Sequence, residues 1–243
     1  MIDLHSHILP EQDDGAQSLR DSVEMARMAV ESGVTAMVAT PHCMGDRSRE
    51  VYGAWKLLRE ALSENEIPLK LFLGMEIFGT PDTARMLEEG KLFTLNGSRY
   101  PLIEFPFRTD GTEETRILHS VCKLGYRPVV AHPERYLCVQ REPRILNRWY
   151  QMGCLFQVNR GSLLGRFGPA ARETALELVE RGFATAVASD AHGTRMRTPW
   201  LEDVQNMLSD AFSPRYARAL LKDNPERILR NEEIHPAEPE WFE

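Results

Sequence analysis

Short apolar runs and helix-period stretches alternate along the whole chain, and their order predicts the elements of the fold. At the N-terminus Ile2 and Leu4 alternate with Asp3 and His5, which predicts a strand almost from the first residue. Ser18 caps a helix in which Leu19, Val23, Ala26 and Val30 recur up to Gly33. TAMVAT (35–40) predicts a second strand running into Pro41 and His42, and the stretch from about 48 to 65 a helix with Val51, Trp55, Leu58 and Leu62 inward. LKLFLGMEI predicts a third strand ending at Glu76, after which Pro81 suits the first turn of a short helix carrying Ala84, Met86 and Leu87. YPLIEF (100–105) is the fourth strand and carries Glu104. An amphipathic helix over 113–124 closes at Gly125, and RPVVAHPER gives a fifth strand ending at His132. A helix around 142–151 leads to CLFQVN, the sixth strand, which ends at Asn159; a helix from Pro169 to Arg181 leads to ATAVASDAH (184–192), the seventh. Helices near 199–211 and 214–222 and a last turn at NPERIL (224–229) follow, and the acidic tail from about 231 is expected to be loosely held.

Seven strands separated by helices predict an α/β fold with a parallel barrel, one unit short of the usual eight. A doubly wound open sheet is the alternative. Nothing divides the chain into parts, so residues 1–243 read as a single domain. The formal net charge of -7 gives no reason to expect a nucleic-acid partner. No apolar run is long enough to span a bilayer and MIDLHSH is no signal peptide, which makes a cytoplasmic location the expectation. Cys43, Cys122, Cys138 and Cys154 form no CxxC pair, so neither a zinc knuckle nor a disulfide framework is indicated.

Candidate chemistry sits where the strands end. His5 and His7 leave the first strand, His42 the second, Glu76 the third, Glu104 the fourth, His132 the fifth, and Asp190 and His192 the seventh. A barrel gathers all these ends around one mouth, whereas an open sheet spreads them along a line. Glu76 follows an apolar strand and Asp190 interrupts one, and a buried carboxylate is costly unless it meets a cation or donors. Imidazoles and carboxylates gathered in this way suit a polynuclear site for manganese, iron, zinc or cobalt.

The HxH opening, TPH at 40–42, the glutamate of the third strand, HPER at 132–135 and SDAH at 189–192 resemble the polymerase and histidinol phosphatase (PHP) superfamily. LP at 9–10 with DDG at 13–15, ATPH and HPERY resemble in particular its bacterial manganese-dependent protein tyrosine phosphatases of capsule and exopolysaccharide biosynthesis. The resemblance implies a distorted seven-stranded TIM-like barrel with three divalent metal ions at its mouth. It assigns His5, His7, Glu76 and Asp190 to one ion, a shared Glu76 with Glu104 and His132 to a second, and Asp14, His42 and His192 to the third. It further marks Arg135 and Arg197 for phosphate binding or catalysis, and implies as substrate the phosphotyrosine tail of a membrane-associated bacterial tyrosine kinase. Glu11 departs from the pattern, since a glycine usually follows LP.

The chemistry is that of phosphomonoester hydrolysis. Bound cations depress the pKa of water to supply hydroxide and clamp the phosphoryl oxygens, while arginine forks match those oxygens. A phenolate leaves more readily than an alkoxide, so a general acid is less necessary, although Asp14 could serve. Arg160, beside Asn159, is a weaker phosphate-binding candidate. A histidinol-phosphate or other small-phosphomonoester phosphatase is the alternative reading, and a nonenzymatic metal-binding regulator belongs to a different class. A rival mechanism rests on Cys43 and Arg49, which have the C-x5-R spacing of cysteine phosphatases, as do Cys138 and Arg144. Asp46 would place a carboxylate in that phosphate cradle, and the route leaves the histidines unexplained.

Overall fold

A computed structural model describes residues 1–234 and 238–243. Nine short strands, all paired in parallel, make two sheets: β1 (Ile2–Ser6), β2 (Ala36–Ala39) and β4 (Lys70–Leu73) in one, and β3 (His42–Cys43), β5 (Glu76–Phe78), β6 (Leu102–Glu104), β7 (Val129–Ala131), β8 (Leu155–Asn159) and β9 (Ala184–Ala188) in the other. The nine occupy seven barrel positions, because the second and third expected strands are each broken in two. Pro41 has no N–H to give and interrupts β2 from β3. Gly74 and Met75 separate β4 from β5, although Gly74 N–H still donates to Ala39 O and Glu76 N–H to Pro41 O. The ring closes where β1 meets the end of β9: Ser6 bridges Ala191, His7 N–H donates to Ala191 O at 2.8 Å, and Asp190 N–H to His5 O at 3.0 Å. The architecture is therefore the distorted α/β barrel rather than the open sheet.

One buried cluster collects Ile2, Leu4, Ala36, Val38, Leu102, Val129, Ala131, Leu155 and Ala186, residues from six strands that only the lumen of a closed sheet brings together. The other packs the outward strand residues, such as Met37, Ile103, Val130 and Phe156, against the helices. The helix Leu19–Glu31 starts as expected at Ser18, whose hydroxyl accepts from Asp21 N–H. Its buried face is Ser22, Met25, Ala26 and Ala29, with Leu19, Val23 and Val30 at its margins.

Three expectations need correction. The short helix begins at Thr83, two residues after Pro81, which lies in the preceding turn. The helix expected around 142–151 is found at Ile145–Gln151, and a second, unexpected helix, Leu137–Arg141, precedes it. The tail is anchored on both sides of residues 235–237, which lie outside the described residues. Ile234 and Phe242 are buried, the Phe242 ring lies 5.0 Å from that of Phe183, and Tyr100 donates to Glu232 O. Glu11 has φ +58°, which explains the glycine usual at this position: an L side chain there costs about 1 kcal/mol.

Candidate metal centre

The residues that leave the strand ends converge on two carboxylates. Glu76, at the start of β5, is fully buried; its Oε2 lies 3.1 Å from His5 Nε2, 3.2 Å from His7 Nε2 and 3.0 Å from His42 Nδ1, and its Oε1 lies 2.9 Å from His132 Nε2. Asp190, just past β9, turns its Oδ1 to His5 Nε2 at 3.5 Å and His7 Nε2 at 3.4 Å. Its Oδ2 accepts from Asn159 and Arg197. Glu104 accepts or shares the proton of His42 Nδ1 at 2.6 Å, and Asp14 Oδ1 lies 3.5 Å from His42 Nε2 and 3.3 Å from His192 Nε2. All nine expected metal residues thus meet at one mouth. Strain marks the same place, since His132 (φ +34°) and Asp190 (φ +50°) both hold left-handed backbone.

Groups tight enough to surround one cation are His5, His7 and Asp190; His5, Glu76 and His132; His42, Glu76 and Glu104; and His7, Asp14, His42 and His192. The last contains the expected third set with His7 added, while the first holds three of the four residues of the expected first set, the fourth, Glu76, lying against both of its imidazoles. Glu104 and His132 share Glu76 but fall in different groups. The donor set fits divalent ions on a local observation: several imidazole nitrogens converge on the buried Glu76 Oε2 and Asp190 Oδ1, and Asp14 faces the buried His192 Nε2, a crowding of ligand atoms around shared points that a cation satisfies.

Electrostatics within the cluster follows from the same contacts. Burial opposes charge on His42, yet hydrogen bonds to Glu104 and Glu76 outweigh it and raise this imidazole to about 10. His7 is raised well above its ordinary value, against burial, by Asp13, Asp190 and Glu76. His192 is buried and faces the charge of His7, which lowers it to about 4. Burial opposes ionisation of Glu76 and Asp190, but the surrounding imidazoles, His5 foremost, hold both well below the carboxylate range. Protons on imidazoles therefore stand where cations would. Metal titration of the chelated protein near pH 8 is expected to release protons, and affinity to weaken as pH falls, because His42 and His7 must give up theirs before they can ligate. An indicator dye in weak buffer checks this; metal uptake with no acidification would contradict it.

Several partners of the cluster lay beyond sequence reasoning. Asp13, which the sequence shows only as the first residue of DDG, accepts from His7 Nδ1 at 2.7 Å and from the backbone N–H groups of His42 at 2.8 Å and Gly15 at 2.9 Å. These donors hold its carboxyl near 2 in spite of burial. Gln157 Oε1 accepts from His5 Nδ1 at 2.8 Å. Both bonds fix the tautomer that turns Nε2 toward the cluster. The signal for Gln157 was available, as a polar residue inside an apolar strand. Asp13→Ala is expected to weaken metal affinity about 10- to 100-fold without removing a ligand, as read by calorimetric titration. Gly15 seats this loop directly on His7, where a Cβ would lie 2.1 Å from the His7 carbonyl oxygen.

The arginines divide. Arg135 and Arg197 both reach the mouth, with Arg135 Nη1 3.6 Å and Arg197 Nη2 2.5 Å from Asp190 Oδ2. The Arg135 guanidinium is stacked between the rings of Phe107 (4.2 Å) and Phe167 (4.3 Å). Arg160 is instead buried and paired with Asp203, with a further bond to Thr198 O at 3.1 Å, so it is structural and not the phosphate ligand considered above. Cys43 is buried, its thiol donates to Gly45 O, and burial raises its pKa, while Arg49 is exposed on the following helix. That arrangement supplies no thiolate for a cysteine mechanism. Among the described residues no helix is long and apolar enough to cross a membrane.

A family model described as capsular polysaccharide synthesis, CpsB/CapC, matches residues 1–230. The chain is 35% identical over 244 residues to the tyrosine-protein phosphatase YwqE of Bacillus subtilis (strain 168), covering 99% of this chain and 96% of the relative. It is 30% identical over 243 residues to the tyrosine-protein phosphatase CpsB of Streptococcus pneumoniae, covering 96% of this chain and all of the relative. A chain from the crystal structures of B. subtilis YwqE and S. pneumoniae CpsB, described as unique metal-dependent tyrosine phosphatases, superposes with a TM-score of 0.93. The two are 34% identical with full coverage of both.

Proposed function

The chain belongs to the CpsB/CapC family of capsular polysaccharide synthesis proteins, and from that premise we propose that it is a metal-dependent protein-tyrosine phosphatase. Residues 1–243 act as one domain with a single site at the barrel mouth. The observation that carries the reading is the convergence of nine metal-competent residues, with the buried carboxylates of Glu76 and Asp190 at the centre, on a mouth that also holds two arginines.

Three divalent ions, manganese by preference, would be held by His5, His7, Glu76 and Asp190; by Glu76, Glu104 and His132; and by Asp14, His42 and His192. When bound they neutralise phosphoryl oxygens and lower the pKa of water. The chain's own residues do the rest. His5 and His7 keep Nε2 directed inward because Gln157 and Asp13 hold their Nδ1–H groups. Arg135, braced between two phenyl rings, and Arg197 present forks to the phosphoryl group. Phe107, 42% exposed at the rim, offers an apolar face to the phenyl ring of a phosphotyrosine. Asp14, 66% exposed and on the solvent side of His42 and His192, is placed to pass a proton to the leaving oxygen.

The substrate is a phosphotyrosine segment of a bacterial tyrosine kinase that governs capsule or exopolysaccharide synthesis. Supplying a phosphotyrosine peptide and histidinol phosphate at equal concentration to the manganese-loaded enzyme tests the substrate class. Preference for the peptide supports the proposal; faster turnover of histidinol phosphate moves it to small phosphomonoesters.

A further inference from the structure

Beside the mouth lies a groove of about 470 Å³ lined by Arg141, Arg144 and Arg148. A smaller hollow of about 270 Å³ continues it past Arg148 to Arg116. The three groove arginines are exposed, and among the described residues none of their guanidiniums has an ion-pair or hydrogen-bond partner. Some other surface arginines are matched, as Arg85 is with Asp82 and Glu89, or Arg230 with Glu226; what sets these three apart is that they line one concave surface. In a chain of net charge -7, three unpaired arginines on one concave surface are a local reversal of sign. Two acidic residues, Asp110 and Glu142, share the lining, so the three arginines outnumber the opposing carboxylates by one.

The groove shares a wall with the catalytic mouth. Leu137 lines it and donates its N–H to Phe107 O at 2.8 Å, while Thr109 lines it two residues after Phe107. The Phe107 ring in turn covers Arg135. A chain with its phosphotyrosine in the mouth therefore crosses Phe107 to reach Arg141, Arg144 and Arg148. Arg144, the N-cap of the Ile145–Gln151 helix, and Arg148 are four positions apart, one helical turn, and Arg141 ends the preceding helix. Cys138 and Arg144, which share the cysteine-phosphatase spacing, both line this groove. Burial and the neighbouring Glu114 raise the Cys138 thiol to about 11, so the arginine is there without a nucleophile.

We propose that this groove binds an acidic stretch flanking the phosphotyrosine of the peptide substrate, so that charge outside the mouth selects which phosphotyrosine is hydrolysed. The proposal rests on the phosphotyrosine reading and names the kind of peptide that the same site takes. Carboxylates suit arginine forks, and exposed contacts of this kind are individually small and screened by salt.

The test compares metal-loaded wild type with the triple variant Arg141→Glu, Arg144→Glu, Arg148→Glu. Substrates are free phosphotyrosine and two phosphotyrosine peptides of equal length, one flanked by Asp and Glu and one by Ser and Gly. Wild type is expected to favour the acidic peptide about tenfold, through KM, with the preference fading at high salt and vanishing in the variant. Free phosphotyrosine should be hydrolysed equally by both proteins. A preference retained in the variant, no preference in wild type, or a parallel loss on free phosphotyrosine would each overturn the groove. Anisotropy of a labelled acidic peptide, read on the same two proteins, judges the groove even if wild type hydrolyses no phosphotyrosine, a result that would sink the functional reading instead. Wild-type retention on phosphatidylglycerol vesicles, lost in the variant and without any peptide preference, would replace the peptide by a membrane surface.

Discussion

Glu76→Gln is expected to lower phosphotyrosine turnover about 10³-fold or more and to leave the purified protein short of metal. Glu76 is the one residue that meets His5, His7, His42 and His132, and it stands in two of the four groups able to surround a cation. Glutamine keeps its shape and most of its packing. It removes the negative charge and sets an NH2 donor where a cation should sit. Several kcal/mol of metal binding and charge stabilisation go with it, and each 1.36 kcal/mol is a factor of ten in rate. Metal content by mass spectrometry and kcat on a phosphotyrosine peptide read the two effects, with circular dichroism to confirm the fold. Activity within tenfold of wild type would show that the cluster is not organised around this carboxylate.

Arg135→Ala is expected to cost about 10²- to 10³-fold in kcat with metal content unchanged, and Arg135→Lys to recover little of it. The guanidinium lies within 4.2 and 4.3 Å of the Phe107 and Phe167 ring centres, and a lysine ammonium can neither stack on such rings nor present two parallel donors. Arg197 provides the contrast. Its guanidinium holds Asp190 Oδ2 at 2.5 Å, so its loss disturbs a metal-competent carboxylate together with any contact to phosphate. Arg197→Ala should therefore reduce both kcat and metal retention. An Arg135→Ala variant that lost metal as Arg197→Ala does would place Arg135 among the supports of the cluster rather than on the substrate.

Much of this organisation was legible because barrel geometry converts sequence order into spatial convergence. A histidine or carboxylate at each strand exit has one meeting place, and His5 and Asp190 meet across 185 positions of chain for that reason. What stayed illegible depended on single backbone bonds. The breaks that turn seven runs into nine strands come from Pro41 and from the Gly74–Met75 step, and hydropathy passes smoothly through both. The role of Asp13 was hidden because two adjacent aspartates in DDG differ only in which way the loop turns them, one onto His7 Nδ1 and the other toward His42 and His192. Nothing in the local sequence marks Phe107 and Phe167 as the rings against which the fold sets Arg135. Arg160 misled for the opposite reason: its neighbour Asn159 does face Asp190, but the first turn of the next helix carries Arg160 away to Asp203.

The central claim is that the cluster around Glu76 and Asp190 hydrolyses phosphotyrosine through divalent metal. Its most direct test is phosphate release from a phosphotyrosine peptide by wild type and Cys43→Ser, each assayed as purified, after exhaustive chelation and after return of manganese. Both proteins are expected to lose activity on chelation and to regain it with manganese. Full activity after chelation, together with its loss in Cys43→Ser, would contradict the metal site and move the chemistry to the thiol.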